Sequence, residues 1–279
     1  MTGRIQALDH IVLAVHDFDA AVMGYESLLG RRARRSEPAG GAVRAWFRLA
    51  NMSLEIISPA GEGVAGERVR ERLANRGEGP SLLAFAVEDV DEAQRWFGRR
   101  GVGVKPVLGS SFNALAADTA TTHGMAMVFA SFAAYPTAEA IGDEAAAIEG
   151  LDHVVIHTPD PERAVALYGG RLGLNLRLDR SSPQWRTRLL FFRCGDLVIE
   201  IAHALKDGVS AGPDTLGGFC WRAADITAAH ARLAGAGFSV SEIRTGRRPG
   251  SQVFTVRDKT FGAPTIVIGV EPGSQGQTL

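Results

Sequence analysis

The chain has 279 residues, 46% of them hydrophobic and 22% charged, with a net charge of −1. This composition excludes collagenous, disordered and disulfide-stapled classes, and it gives no global electrostatic reason to expect a nucleic acid or an acidic membrane as partner. No apolar run reaches the roughly 18 residues of a membrane span and the start has no secretory pattern, so a cytoplasmic protein is the expectation. In chain order, an apolar strand at residues 8–13 comes first. Asp17 then precedes a helical pattern closed by Gly30, and β-rich runs follow at 43–49 and 53–57. A second unit opens near Ser81, with Asp89 before the helical spacing Val90, Ala93, Trp96, Phe97, then Gly101 and a strand at 125–129. A third opens at Leu151, with Asp160 and Pro161 before a helix, Gly173 after it, and strands at 188–193 and 197–202. A fourth opens near Leu216, with Asp225, Gly237, and strands at 240–243, 253–256 and 265–270. The four aspartates are placed to accept the orphan N–H groups of a first helical turn, and the glycines to end each helix.

Two phrases recur. Leu8-Asp9-His10-Ile11-Val12-Leu13 returns as Leu151-Asp152-His153-Val154-Val155-Ile156, and each is followed by a carboxylate within an apolar run, Glu55 and Glu200. A repeated fold needs repeated apolar positions, but it does not need a repeated histidine and glutamate. The pattern predicts an α+β protein of four βαβββ units, two per domain: domain 1 over 6–132, a linker over 133–149 and domain 2 over 150–271. The linker begins Ala133-Ala134-Tyr135-Pro136, with a short helix expected within 137–147. The arginine run at 31–35 reads as a solvated face. Cys194 and Cys220 fit no metal or redox spacing and read as buried, reduced thiols.

Strand alternation puts His10 on one face with Leu8 and Val12, and Ile11 with Leu13 on the other. Both faces are apolar, so the histidine and glutamate must find partners, either each other or a metal. Imidazole and carboxylate together suit Zn, Fe(II), Mn, Ni or Co. The alternating Arg44, Trp46 and Arg48 point together, either as a ligand wall or as one side of an edge strand. In the second half Trp185, Arg186, Arg188, Trp221 and Arg244 are the corresponding substrate-binding candidates, since guanidinium and aromatic faces suit carboxylates, phosphates or enolates. The partner expected is thus a small molecule, and exposed sheet edges admit a homodimer.

Four such units, with histidine in the first strand and glutamate in the last, resemble the vicinal oxygen chelate superfamily. It includes glyoxalase I, fosfomycin- and bleomycin-resistance proteins, methylmalonyl-CoA epimerase and extradiol dioxygenases. The resemblance covers nearly the whole chain, most closely at 8–30, 46–59 and 151–174. It implies two tandem glyoxalase/bleomycin-resistance-type domains with cleft-forming mixed sheets, and His10, Glu55, His153 and Glu200 as metal ligands. It further implies lyase or isomerase chemistry with Glu200 or Glu55 as catalytic base, or, alternatively, metal-free sequestration of a small molecule. Leu82 and Gly218 stand where the second and fourth units would repeat the histidine, and Val128 and Val267 stand near the glutamate position. Each cleft then inherits two ligands if unit one pairs with two, or with four; only pairing one with three collects all four. His123 and His203 are the candidate third ligands. The missing ligands in unit four make extradiol dioxygenase chemistry improbable.

Overall fold

The computed structural model describes residues 3–107, 113–132 and 136–270. The first half contains β1 (Ile5–Ala14), α1 (Phe18–Leu29), β2 (Arg34–Ala39), β3 (Ala42–Arg48), β4 (Ser53–Pro59), α2 (Val64–Arg76), β5 (Gly79–Val87), α3 (Val90–Gly98), β6 (Val104–Pro106), β7 (Ala114–Ala117) and β8 (Met127–Ala130). The second contains β9 (Ile148–His157), α4 (Pro161–Ala164, running into a π-helix over Val165–Arg171), β10 (Asn175–Ser182), β11 (Thr187–Cys194), β12 (Leu197–Ala204), β13 (Thr215–Ala223), α5 (Ile226–Gly235), β14 (Arg244–Thr245), β15 (Ser251–Val256) and β16 (Thr265–Val270).

Each half is one eight-stranded mixed sheet, β2-β3-β4-β1-β5-β8-β7-β6 and β10-β11-β12-β9-β13-β16-β15-β14. Unit one therefore pairs with two and three with four, through antiparallel β1–β5 and β9–β13. Asp17, Asp89, Asp160 and Asp225 all cap their helices, accepting from the N–H of Ala20, Glu92, Arg163 and Ala228. One face of each sheet packs on these helices, and a single apolar core runs through both halves. The other face forms a cup.

Several local expectations change. Residues 240–243 form no strand beyond an isolated Val240–Val256 bridge, and the edge is β14 instead. The expected linker helix is one 3₁₀ turn, Glu144–Ala146, and residues 133–135 of the linker fall outside the described residues. Helix α2 had no counterpart in the sequence reading. Its Val69 and Leu73 pack against Val12, Ala14, Ala42 and Ile57, filling one end of the first cup. The arginine run is not wholly solvated: Arg31 is buried between the halves, bonding the Ile148 and Ala138 carbonyls and Glu144.

The halves grip each other by their turns. The Asn51 side chain bonds both the N–H and the carbonyl of Leu151, at 3.0 and 2.7 Å. Phe261, at the loop before β16, packs on Tyr25 of α1, whose hydroxyl donates to the Thr260 carbonyl. Gly262 is required there, because a Cβ would lie 2.1 Å from the Glu78 carbonyl oxygen.

Candidate functional site

A register shift between Leu8 and His10 in the β1–β5 ladder turns the local alternation. Leu8 joins Ile11 and Leu13 in the core, contrary to the simple alternation, while His10 faces the cup with Val12. Between them Asp9 places Oδ2 2.7 Å from His10 Nδ1. The second half repeats the device: the β9–β13 register shifts between Cys220 and Trp221, Leu151 enters the core, and Asp152 Oδ1 lies 2.9 Å from His153 Nδ1. The repeated Leu-Asp-His phrase is thus one structural unit: an anchor, a bulge carboxylate and an oriented imidazole. With Nδ1 engaged, Nε2 is directed at the glutamate, at 3.6 Å for Glu55 and 3.5 Å for Glu200.

The two cups then diverge. In the first, Trp46 lies opposite Glu55, and Arg44 Nε sits 3.0 Å from Glu55 Oε1. Arg48 donates to Ser53 Oγ at 2.6 Å and stacks over Trp46, while Trp46 and Phe132 meet the His10 ring edge-on at 5.0 and 5.3 Å. Burial pushes the Glu55 carboxyl up, against the pull of His10 and Arg44. In the second cup the position of Arg44 is Leu189 and that of Trp46 is Phe191. Among the described residues Glu200 has a single ion-pair partner, His153.

The second cup instead contains Cys220, which faces His153 directly across the β9–β13 ladder; Ala84 fills the same place opposite His10. Donor atoms of Asp152, His153 and Cys220 all lie within 4.8 Å of one another. Burial opposes charge on His153, but Cys220, Asp152 and Glu200 outweigh it and hold the imidazole's pKa well above its usual value. Burial pushes the Cys220 thiol up, only partly offset by His153. Despite burial, the His153 hydrogen bond and charge, with Arg248 and Arg222, keep Asp152 below the usual carboxylate range.

The remaining candidates divide. Trp221 is fully buried in the core and takes no part in the cup. Arg188 turns to the helix side, clasped by Asp179 and Glu162 at 2.7 Å each. Arg244 lies at the sheet edge, bonded to Ser241 and Thr255. Trp185 stands at the β10–β11 hairpin beside Arg186, and Arg247 from the opposite edge of the sheet covers it at 4.2 Å. Its neighbour Arg248 reaches Asp152 Oδ2 at 3.5 Å. His123, at φ 56°, sits in the junction loop, its carbonyl accepting from Asp214 N–H, and His203 turns to the Thr158 carbonyl on the helix face. Neither histidine reaches a cup. Val128 does occupy the position equivalent to Glu55, but in unit four that position is Ile266, because Val267 is buried in the core.

A profile of the Glyoxalase/Bleomycin resistance protein/Dioxygenase superfamily matches residues 9–120 and 152–255. The chain belongs to this superfamily. Within it, 92 residues are 33% identical to an ethylmalonyl-CoA/methylmalonyl-CoA epimerase of Cereibacter sphaeroides; the match spans 32% of this chain and 65% of that protein. A mutant of 4-hydroxymandelate synthase from Streptomyces coelicolor superposes with a TM-score of 0.75 at 12% identity, over 98% of this chain and 96% of that one. The Mn(II)-bound glyoxalase from Novosphingobium aromaticivorans gives 0.68 at 13% identity, over 95% and 82%. Both likenesses are of fold, and they agree with the superfamily's tandem cup-shaped domains.

Sequence reasoning missed Asp9, Asp152 and Cys220. The aspartates were in view as part of the repeat. Cys220 carried a signal only through its position opposite a strand not yet placed.

Proposed function

We propose that this protein is a metal-assisted lyase or isomerase acting on a small oxygenated metabolite, with its reaction in the second cup. The observation that carries this reading is the partly buried Glu200 carboxylate beside an oriented His153, with no guanidinium paired to it among the described residues. Two donors each about 2.1 Å from one tetrahedral ion lie about 3.4 Å apart. The 3.5 Å between His153 Nε2 and Glu200 Oε2 fits that requirement. Zn, Fe(II), Mn, Ni and Co all accept this donor pair. A bound ion would supply Lewis-acid stabilisation of a developing enolate oxygen.

The chain's own groups do the rest. Asp152 fixes the His153 ring so that Nε2 faces the cup. Glu200 keeps one oxygen toward His153, and the other is the group to accept a proton α to the substrate carbonyl. Arg247 on Trp185 and Arg248 on Asp152 bring positive charge to the mouth, where a substrate carboxylate or phosphate would be met. The partial likeness to an epimerase supports proton abstraction next to a carbonyl.

The first cup favours a second role. Glu55 is already neutralised by Arg44, and Trp46 and Phe132 flank His10. Those features suit metal-free binding of a small molecule and make this half a scaffold for the other.

Deuterium exchange into 2-substituted carboxylic acids and acyl thioesters, followed by NMR on metal-reconstituted protein, tests the reading. Exchange should occur with the wild type, fall on the order of 100-fold or more in Glu200→Gln, and persist in Glu55→Gln. Exchange that survives Glu200→Gln would overturn it.

A further inference from the structure

We propose that the junction between the two halves holds a second binding site, built on Arg72 and Arg76 of α2, for a small organic carboxylate with a short apolar tail. A cavity of about 120 Å³ opens there. Arg72 and Arg76 line it together with Pro80 at the start of β5, Met125 just before β8 and Leu216 of β13, so both halves contribute. Neither histidine–glutamate pair lines it, and the site does not depend on the metal-assisted reading.

The charge comes first. Two guanidiniums share one cavity whose lining carries no acid. Arg72 is fixed in place, donating from Nη1 and Nη2 to the Gly77 and Pro80 carbonyls at 2.7 and 3.0 Å. These bonds cover carbonyls just past the end of α2, a usual task of a basic residue in a last turn, so Arg76 is not needed for them. A guanidinium has five N–H groups, and those two bonds leave Arg72 with others to offer. Burial, and then the charge of Arg76, hold the Arg72 pKa below its usual value, with no described carboxylate pulling the other way. Two cations kept this close without a counter-charge make a local positive potential that an anion relieves.

The rest of the wall selects among anions. Met125 is buried, and Leu216 packs against the main core, so the cavity joins a cationic rim to an apolar floor. An apolar surface with a few convergent polar groups is the usual make-up of a small-molecule site. Drug-sized sites run to roughly 300–1,000 Å³, so this smaller one takes a ligand of only a few carbons. The planar guanidinium fork matches a carboxylate, with Pro80, Met125 and Leu216 left for the tail. Inorganic phosphate would satisfy the arginines and leave the floor uncovered, which separates the two chemistries.

Calorimetric titration of the full chain with sodium butyrate, acetate and inorganic phosphate, at constant ionic strength, reads the site. Butyrate should bind saturably with one site per chain, about tenfold more tightly than acetate, as two further buried methylenes require. It should also bind more tightly than phosphate. Arg76 is exposed, so Arg76→Gln should keep the fold, as an unchanged melting temperature without ligand would show, and bind butyrate on the order of tenfold or more weakly. Arg99→Gln, which removes the same charge from the exposed end of α3, should bind as the wild type does. Absence of saturable butyrate binding, or binding unchanged in Arg76→Gln, overturns the site. Phosphate binding as tightly as butyrate, or acetate equal to butyrate, overturns the assignment to a carboxylate with an apolar tail.

Discussion

Asp152 stands 2.9 Å from the Nδ1 of the histidine that follows it, a contact between sequence neighbours that an ordinary strand would place on opposite faces. A bulge in β9 brings both side chains into the cup, and the same bulge in β1 joins Asp9 to His10. The duplicated phrase therefore copies a way of aiming an imidazole. What each half then aims it at differs.

Orientation by Asp152 has a measurable cost when removed. Asp152→Asn should weaken metal binding by about 10- to 100-fold while leaving the stoichiometry unchanged, as competition with a chromophoric chelator would report. Asp9→Asn should leave metal affinity where it is. Equal effects from both variants would contradict the assignment of the metal to the second cup.

In the first cup Arg44 neutralises a carboxylate that is only 6% exposed. Arg44→Met should lower the unfolding free energy by about 1.5–3 kcal/mol in urea denaturation, because a charged hydrogen bond is lost and its partner stays buried. Adding Glu55→Gln should restore most of that loss. A double variant no more stable than Arg44→Met would show that the pair is not coupled.

Glu55 also predicts a pH dependence. Its carboxyl pKa is raised by burial in the folded chain and is ordinary in the unfolded one. Between those two values the folded state holds a proton that the unfolded state has released, so stability falls as pH rises through the window. The contribution is fully present below the ordinary carboxylate value and gone above the raised one. Glu55→Gln should lack this slope. Parallel pH–stability curves for wild type and variant would contradict the shift.

Unit four has glycine where unit one has His10, and the reason is steric. A Cβ on Gly218 would lie 2.2 Å from the Pro264 carbonyl oxygen, which accepts from Phe219 N–H. Gly218→Ala should therefore cost about 1–3 kcal/mol through overpacking. Gly98→Ala, with open space around the new Cβ, should be neutral or stabilising by up to about 1 kcal/mol. A thermal melt of each variant checks the contrast.

Most of the fold was legible in the sequence, because its signals are local. Four aspartate caps and four apolar strand starts mark the units without reference to tertiary contacts. Helix α2 was harder to read, since its buried side is little more than Val69 and Leu73 on an otherwise polar segment. The candidate site was half legible. His10, Glu55, His153 and Glu200 stand out by repetition, and the geometry brings each pair together. Arg44 against Leu189, and Ala84 against Cys220, acquire meaning only when strand register is known. Trp221 and Arg188 were misplaced because one residue of register moves a side chain from cup to core.

Metal stoichiometry measured by plasma mass spectrometry on reconstituted wild type, His10→Ala and His153→Ala tests the central claim most directly. One divalent ion per chain in the wild type and in His10→Ala, with none in folded His153→Ala, is the result the second-cup site predicts. An ion retained in His153→Ala, or lost in His10→Ala, would contradict it.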